Sequence, residues 1–90
     1  MSRTIDARVG ETVSLALPET PGTGYRWRLT SPLPVVSDSF APGAAPGAGG
    51  ERVFEVAVSS PGRHELLAEL TRPWESVVRD VRTFVVAARL

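Results

Sequence analysis

Residues 18–27 read Pro-Glu-Thr-Pro-Gly-Thr-Gly-Tyr-Arg-Trp, and they connect two segments in which apolar residues take every second position. The alternating residues are Val13, Leu15 and Leu17 before this stretch, and Tyr25, Trp27 and Leu29 after it. A period of two is typical of a β-strand with one buried face. Residues 18–24 are therefore predicted to form a loop between two strands. The loop is longer than a hairpin needs and carries two prolines and two glycines, which favours a loop retained for binding.

The same alternation predicts seven strands along the chain. They cover residues 3–9, 12–17, 25–30, 35–40, 52–59, 64–71 and 77–88. Many short strands separated by turn residues indicate an all-β fold, here an antiparallel β-sandwich of about seven strands. In the last strand Val81 is out of phase with Phe84 and Val86, so we expect a β-bulge or bend before Thr83.

Length and composition limit the class of protein. Ninety residues predict a single domain over residues 1–90. Ten arginines balance ten acidic residues along the whole chain, which argues against a nucleic-acid partner. Arg26 and Arg28 flank Trp27 and would suit stacking on a single strand, but zero net charge favours two outward arginines beside an inward indole. The absence of cysteine excludes disulfides, thiolate catalysis and zinc–thiolate sites.

Targeting signals are also lacking in the sequence. No window approaches the roughly 18 apolar residues of a membrane span, so we expect no membrane partner. The first residues lack the apolar run of a signal peptide, and the default expectation is a cytoplasmic protein. The protein would instead be secreted or periplasmic if a signal has been removed. We further expect a monomer without cofactors.

Three unusual connections are predicted to share one end of the sandwich. If successive strands alternate in direction, the connections after strands two, four and six lie together. These are residues 18–24, 41–50 and 72–76, whereas the other connections are short. A first or last strand that runs parallel to its neighbour would weaken this argument. Sandwiches that bind with their loops present them in this way.

Trp74 in the third connection has two interpretations. A tryptophan often fills a core, yet Trp and Arg are also enriched at the centres of interfaces. Pro73 stiffens the backbone before Trp74, and no other apolar residue follows until Val77. The clustering with two other unusual loops favours an exposed Trp74.

These three loops resemble the binding loops of the chagasin-like inhibitors of papain-family cysteine proteases. The family's first loop reads Asn-Pro-Thr-Thr-Gly followed by Tyr or Phe, and residues 20–25 here read Thr-Pro-Gly-Thr-Gly-Tyr. Its second loop ends in Gly-X-Gly-Gly with an aromatic shortly after, as residues 47–50 and Phe54 do here. Its third loop is Arg-Pro-Trp, which is intact at residues 72–74. Each motif alone is weakly specific, but three in order over nearly the whole chain are fairly specific.

The resemblance implies an immunoglobulin-like sandwich that acts as a reversible, tight-binding inhibitor of papain-like cysteine proteases and is not an enzyme. Residues 18–24 would cover the protease's catalytic pair, residues 47–50 would lie along one wall of the cleft, and residues 72–74 would pack on the other side. The implied protease-binding residues are Thr20, Pro21, Gly22, Thr23, Gly24, Gly47, Ala48, Gly49, Gly50, Arg72, Pro73 and Trp74.

Two positions depart from the family pattern, and other functions stay open. Thr20 stands where the family has Asn, and Gly22 replaces the Thr expected nearest the catalytic groups. The flexibility of Gly22 raises the entropic cost of binding, so a weaker inhibitor, one adapted to another protease, or a fold that has lost inhibition all fit the sequence. The main alternative is a generic immunoglobulin-like module that binds protein or carbohydrate without inhibiting a protease.

Catalysis and metal binding are poorly supported by the sequence. The single histidine, His64, begins a strand at the end opposite the three loops. No nucleophile-elbow motif accompanies it, no His cluster suggests a metal site, and the glycine-rich loop lacks the Gly-Lys-Ser/Thr of a phosphate cradle. We therefore predict no catalytic residues and no metal ligands.

Overall fold

Seven β-strands form from the alternating segments in a computed structural model, which describes residues 2–45 and 47–90. They are β1 (Ser2–Arg8), β2 (Thr12–Glu19), β3 (Arg26–Thr30), β4 (Val35–Pro42), β5 (Gly50–Ala57), β6 (Gly62–Thr71) and β7 (Asp80–Arg89). One sheet has the order β1-β7-β6-β3, and the other has the order β2-β5-β4. The prediction of an all-β sandwich of about seven strands is confirmed.

The directions of the strands alternate along the chain, as the placement of the loops requires. All pairs are antiparallel except β1 with β7, which pair in parallel from Ser2 opposite Thr83 to Arg8 opposite Arg89. A strand that runs parallel to its neighbour could have moved a loop to the opposite end of the sandwich. The parallel pair here does not, because β1 and β7 are both odd-numbered and therefore run in the same direction under strict alternation.

The core lies between the inward faces of the two sheets. Its residues are those that the period of two selects, and they include Leu15, Leu17, Trp27, Phe54, Val56, Val58, Leu66, Ala68, Phe84 and Val86. Burying each large apolar side chain contributes about 1.5–3 kcal/mol. Trp27 is buried and its indole Nε1 donates to the carbonyl of Pro18 at 2.7 Å, so the one polar atom of its side chain is satisfied.

The boundaries of several strands differ from the predicted ones. Strand β2 continues through Pro18 to Glu19, which is possible because β2 is an edge strand and Pro18 there need not donate to a partner. Strands β4 and β5 both extend into the predicted second connection, to Pro42 and from Gly50. The last strand begins at Asp80, three residues later than predicted.

The predicted bulge before Thr83 is wrong. Strand β7 keeps a regular register in this region, with Val81 opposite Glu69 and Thr83 opposite Leu67. Val81 is simply an exposed residue of the outer face, and Arg82 holds the inward position over the Trp27 ring at 5.7 Å. The predicted bulge therefore came from an apolar residue, Val81, that lies on the outer face of a regular strand. The register irregularity lies instead in β4, between Val35 and Ser37.

Within the part of the chain that the structure describes, no helix is both long enough and apolar enough to cross a membrane. The same residues contain no cluster of three or more His, Cys, Asp or Glu side chains that could hold a metal ion.

Candidate functional site

Three loops meet at one end of the sandwich. We call residues 20–25 the first loop, residues 43–49 the second loop and residues 72–79 the third loop, and together they form the loop end. The backbone of Gly49 approaches the first loop so closely that a β-carbon there would lie 2.8 Å from Thr20 Oγ1. A β-carbon on Gly24 would lie 2.5 Å from the indole of Trp74. The first loop therefore lies between the other two, and the predicted placement of the three loops at one end is confirmed.

The first loop is folded by its own hydrogen bonds. A single 3₁₀ turn spans Pro21–Thr23, in which the N–H of Thr23 donates to Thr20 O at 3.1 Å and the N–H of Gly24 donates to Pro21 O at 2.9 Å. The Thr23 hydroxyl also donates to Thr20 O at 2.7 Å. The turn ends at Gly24, whose φ of 81° is a left-handed conformation that favours glycine. The exposed tip of this loop is thus a compact turn and not an extended strand.

Gly22 at the tip of the turn has a different environment from Gly24. Its φ lies outside the left-handed region, and a β-carbon there would meet no atom of the described residues within 4 Å. Neither the backbone nor the space around it requires a glycine. The glycine at this position therefore affects the flexibility and chemistry of the tip and not the formation of the turn.

Arg72 ties the third loop to the first. Its Nε donates to the carbonyl of Thr23 at 2.9 Å, and its guanidinium lies 4.0 Å from the centroid of the Tyr25 ring. The same group pairs with Glu75 in its own loop at 2.8 Å. The charge-assisted bonds and the stacked ring together hold the two loops in one arrangement. The role of Arg72 visible in the structure is thus to connect loops.

Trp74 projects from the loop end, with 69% of its surface exposed. The prediction that it is displayed is confirmed, and its ring edge rests on Gly24 of the first loop. Val77 in the same loop is 68% exposed. The third loop thus presents an apolar surface beside the turn of the first loop.

The second loop contributes backbone and small side chains. Its ends are closed by the N–H of Gly43 on the carbonyl of Gly49 at 2.7 Å, and Ala48 donates to Ala45 at 3.1 Å. Of the residues predicted here, Ala48 and Gly47 are exposed, whereas Gly49 is half-buried against Thr20. Gly50 is also half-buried but belongs to β5, between β2 and β4. Its placement in a strand differs from the predicted loop.

Beneath the loops lies a buried ion pair that the sequence analysis did not identify. Glu19 and Arg52 are 4% and 9% exposed, and Arg52 Nη2 contacts Glu19 Oε2 at 2.7 Å. The hydrogen bonds that Arg52 donates to Glu19 raise the pKa of the guanidinium and outweigh the opposing effect of burial. Arg52 also bonds Asp38 at 3.1 Å, and Arg26 lies 3.5 Å from the same carboxylate.

A signal for this pair was present in the sequence. Glu19 continues the inward phase of Leu15 and Leu17, and Arg52 continues that of Phe54 and Val56. Two opposite charges, each at the end of an apolar face, point to a buried pair.

Comparisons with known proteins show what this chain is similar to. A family model described as "Chagasin family peptidase inhibitor I42" matches residues 6–88. Chagasin from Trypanosoma cruzi is 32% identical over 93 residues, covering 92% of this chain and 84% of that protein.

Two solved structures share the fold. The crystal structure of the cysteine protease inhibitor EhICP2 from Entamoeba histolytica superposes with a TM-score of 0.86 at 21% identity, over 97% of this chain and 86% of that one. PbICP-C, solved in complex with falcipain-2, superposes with a TM-score of 0.65 at 18% identity, over 99% of this chain and 90% of that one.

Proposed function

Since this chain belongs to the chagasin family of peptidase inhibitors, we propose that it reversibly inhibits papain-like cysteine proteases by inserting its loop end into their active-site cleft. The observation that carries this proposal is the arrangement of the three motifs. They lie far apart in sequence, yet the first loop contacts both of the others at a single exposed end. Solved structures with the same fold include a named cysteine protease inhibitor and PbICP-C, which was solved in complex with falcipain-2.

The first loop is proposed to cover the catalytic cysteine and histidine of the protease. Cleavage needs a peptide bond held in line with the attacking thiolate. The hydrogen-bonded turn at Pro21–Thr23 keeps the tip folded, so it offers no extended peptide in that geometry. The loop would therefore occupy the cleft without being cut.

The other two loops are proposed to hold the walls of the cleft. Gly47, Ala48 and Gly49 would allow close approach of the protease backbone, and Trp74 would be the apolar anchor on the opposite side. Gly50 would contribute through its backbone at the start of β5. Arg72 is proposed to act mainly by holding the first and third loops together, since its guanidinium is already committed to Thr23 and Tyr25. Protease–inhibitor contacts of this kind bury roughly 1,600 Å² in total.

A titration of papain with the purified protein tests the proposal. We expect competitive, reversible inhibition with one inhibitor molecule per active site, and an intact inhibitor after long incubation. The proposal would be contradicted if papain and a panel of other papain-like enzymes all kept full activity at micromolar inhibitor.

The variant Gly22→Thr separates a lost activity from a wrong assignment. Because the space around Gly22 is open, the threonine should fit without disturbing the turn. Inhibition by Gly22→Thr alone would mean that the fold is retained while the glycine has abolished activity. Inhibition by neither protein would mean that the loop end itself does not bind these proteases.

A further inference from the structure

The first loop joins two strands that are not paired with each other. It leaves β2 in the three-stranded sheet and enters β3 in the four-stranded sheet, so no ladder of backbone hydrogen bonds links its two ends. Two bonds from one residue replace that ladder. The backbone N–H of Trp27 donates to Glu19 Oε1 at 2.9 Å, and its indole donates to Pro18 O at 2.7 Å. The Glu19 side chain is therefore a tie across the base of the loop.

Arg52 fixes the carboxylate that makes this tie. The Glu19 side chain is 1% exposed, and Arg52 donates to its Oε2 from Nε at 3.1 Å and from Nη2 at 2.7 Å. This two-pronged contact sets the orientation of the carboxylate as well as compensating its charge. Arg52 is the third residue of β5, the strand that begins directly after the second loop. The pair thus connects the base of the first loop to the strand that carries the second.

Stability alone is a poor explanation for two charges in this position. Replacing a buried ion pair by apolar residues of similar size is often neutral or stabilising, because both charges must be removed from water. The neighbouring inward positions, Leu17 and Phe54, are apolar. Unlike those side chains, Glu19 makes a directional contact, because its carboxylate accepts a hydrogen bond from the backbone N–H of Trp27 just after the first loop.

We propose that Glu19 and Arg52 are positioning residues that keep the first loop in the conformation that binds the protease. The inference rests on the proposed function for its kinetic consequence. A loop that adopts the competent conformation for only a fraction of the time binds with its affinity reduced by that fraction. The tip contains Gly22, which adds backbone freedom, and a fixed base limits the range of conformations that the first loop can adopt.

Amide hydrogen exchange in the free protein tests the positioning role directly. The probes are the N–H groups of Thr23 and Gly24, which close the turn. In Glu19→Gln we expect both to exchange about tenfold faster, because the amide of Gln cannot satisfy both nitrogens of Arg52 while it accepts from Trp27. Asp38→Asn is the matched control, since Asp38 bonds the same Arg52 at 3.1 Å but its other ion pair is with Arg26 of β3, outside the first loop. Its exchange rates should equal those of the wild type, and unchanged rates in Glu19→Gln would overturn the proposal.

Binding kinetics provide a readout that a merely structural role would not move. Against papain, Glu19→Gln should lower the association rate constant about tenfold and leave the dissociation rate constant within about twofold, because the bound state is still reached once the loop is ordered. A lower melting temperature with both rate constants unchanged would show that the pair only stabilises the fold. Wild-type protein that leaves papain active would overturn the proposed function, whereas the exchange rates of Thr23 and Gly24 decide the positioning role independently.

A second variant covers the case in which Glu19→Gln does not fold. The double substitution Glu19→Leu with Arg52→Leu removes both charges and fills the space with apolar side chains. It should fold, and Thr23 and Gly24 should again exchange about tenfold faster. Wild-type exchange rates in this folded apolar variant would overturn the positioning role.

Discussion

The first and third loops of the loop end are built differently from the second. Side chains join the first loop to the third, through Arg72 on the Thr23 carbonyl and the Trp74 indole on Gly24. The second loop consists of alanine, proline and glycine, none of which has a polar side-chain group. It is closed by backbone bonds, such as that from Gly43 to Gly49 at 2.7 Å.

The difference shows where the free energy of binding is expected to come from. Loops that are already fixed by side chains lose little conformational entropy when a partner binds. The first and third loops should therefore act as one pre-organised unit and supply most of the affinity. The second loop offers a backbone surface that a partner can approach closely, and its contribution should be smaller and independent. The following variants test this division, from the largest expected effect to the smallest.

Trp74→Ala should have the largest effect. Removal of the anchor is expected to raise the inhibition constant for papain by 30- to 1,000-fold, which corresponds to about 2–4 kcal/mol. The melting temperature should hardly change, because 69% of the side chain is exposed. Val77→Ala is the matched control, since this side chain in the same loop is 68% exposed. An unfolded Trp74→Ala protein, or equal losses in the two variants, would contradict the role of Trp74 as anchor.

Arg72→Lys should break the connection between the first and third loops. Lysine keeps the charge but cannot bond both Thr23 and Glu75 from one planar group while it stacks on Tyr25. We expect inhibition to weaken by about 10- to 100-fold, consistent with the roughly 1.5–3 kcal/mol of hydrogen bonds to a charged group. Arg79→Lys serves as the control, because its guanidinium also lies near Tyr25, at 5.6 Å. Inhibition constants for both variants decide the matter, and similar losses would argue against a special role for Arg72.

Gly47→Ala should change the second loop alone. The φ of Gly47 is 76°, and an alanine in this conformation costs about 1–2 kcal/mol, although a β-carbon there would lie within 4 Å of no atom in the part of the chain that the structure describes. The second loop should adjust, and inhibition should weaken by no more than about tenfold. If the loops act independently, the losses from Gly47→Ala and Arg72→Lys should multiply in the double variant. A double variant whose loss departs from that product by more than about threefold would show that the loops are coupled.

Gly22→Ala should cause the smallest change, which is a small increase in the stability of the protein. The position has an ordinary φ and open space, so alanine restricts the unfolded chain without strain and stabilises the protein by about 0.4–1 kcal/mol. The melting temperature should rise by roughly 2–6 °C. Gly24→Ala should lower it instead, because that residue combines a φ of 81° with contact to Trp74. Thermal unfolding of the two variants measures this contrast, and a loss of stability in Gly22→Ala would mean that the turn requires a glycine at its tip.

Most of the fold could be predicted from the period of two. Inward positions such as Leu15, Phe54 and Val86 follow from alternation, since a sandwich strand buries one face. The ends of the strands could not be predicted as well. Pro42 and Gly50 read as loop residues but extend β4 and β5, because pairing between the two strands overrides their weak strand preference.

The candidate site was predictable in its position and less so in its internal contacts. The three motifs and the alternation of strand directions predicted which loops meet. Only the structure shows that Arg72 reaches Thr23, because a contact across 49 residues leaves no local pattern. Glu19 and Arg52 were missed because charged residues at the ends of strands usually face solvent.

The loop end is the surface that we propose binds the protease. Hydrogen exchange of the inhibitor, with and without bound papain, measures this directly. We expect slower exchange within residues 20–25, 43–49 and 72–79 when papain is bound, with no change in the turns at the opposite end, such as Gly10 and Glu11. Protection at that opposite end with unchanged exchange in the three loops would contradict it.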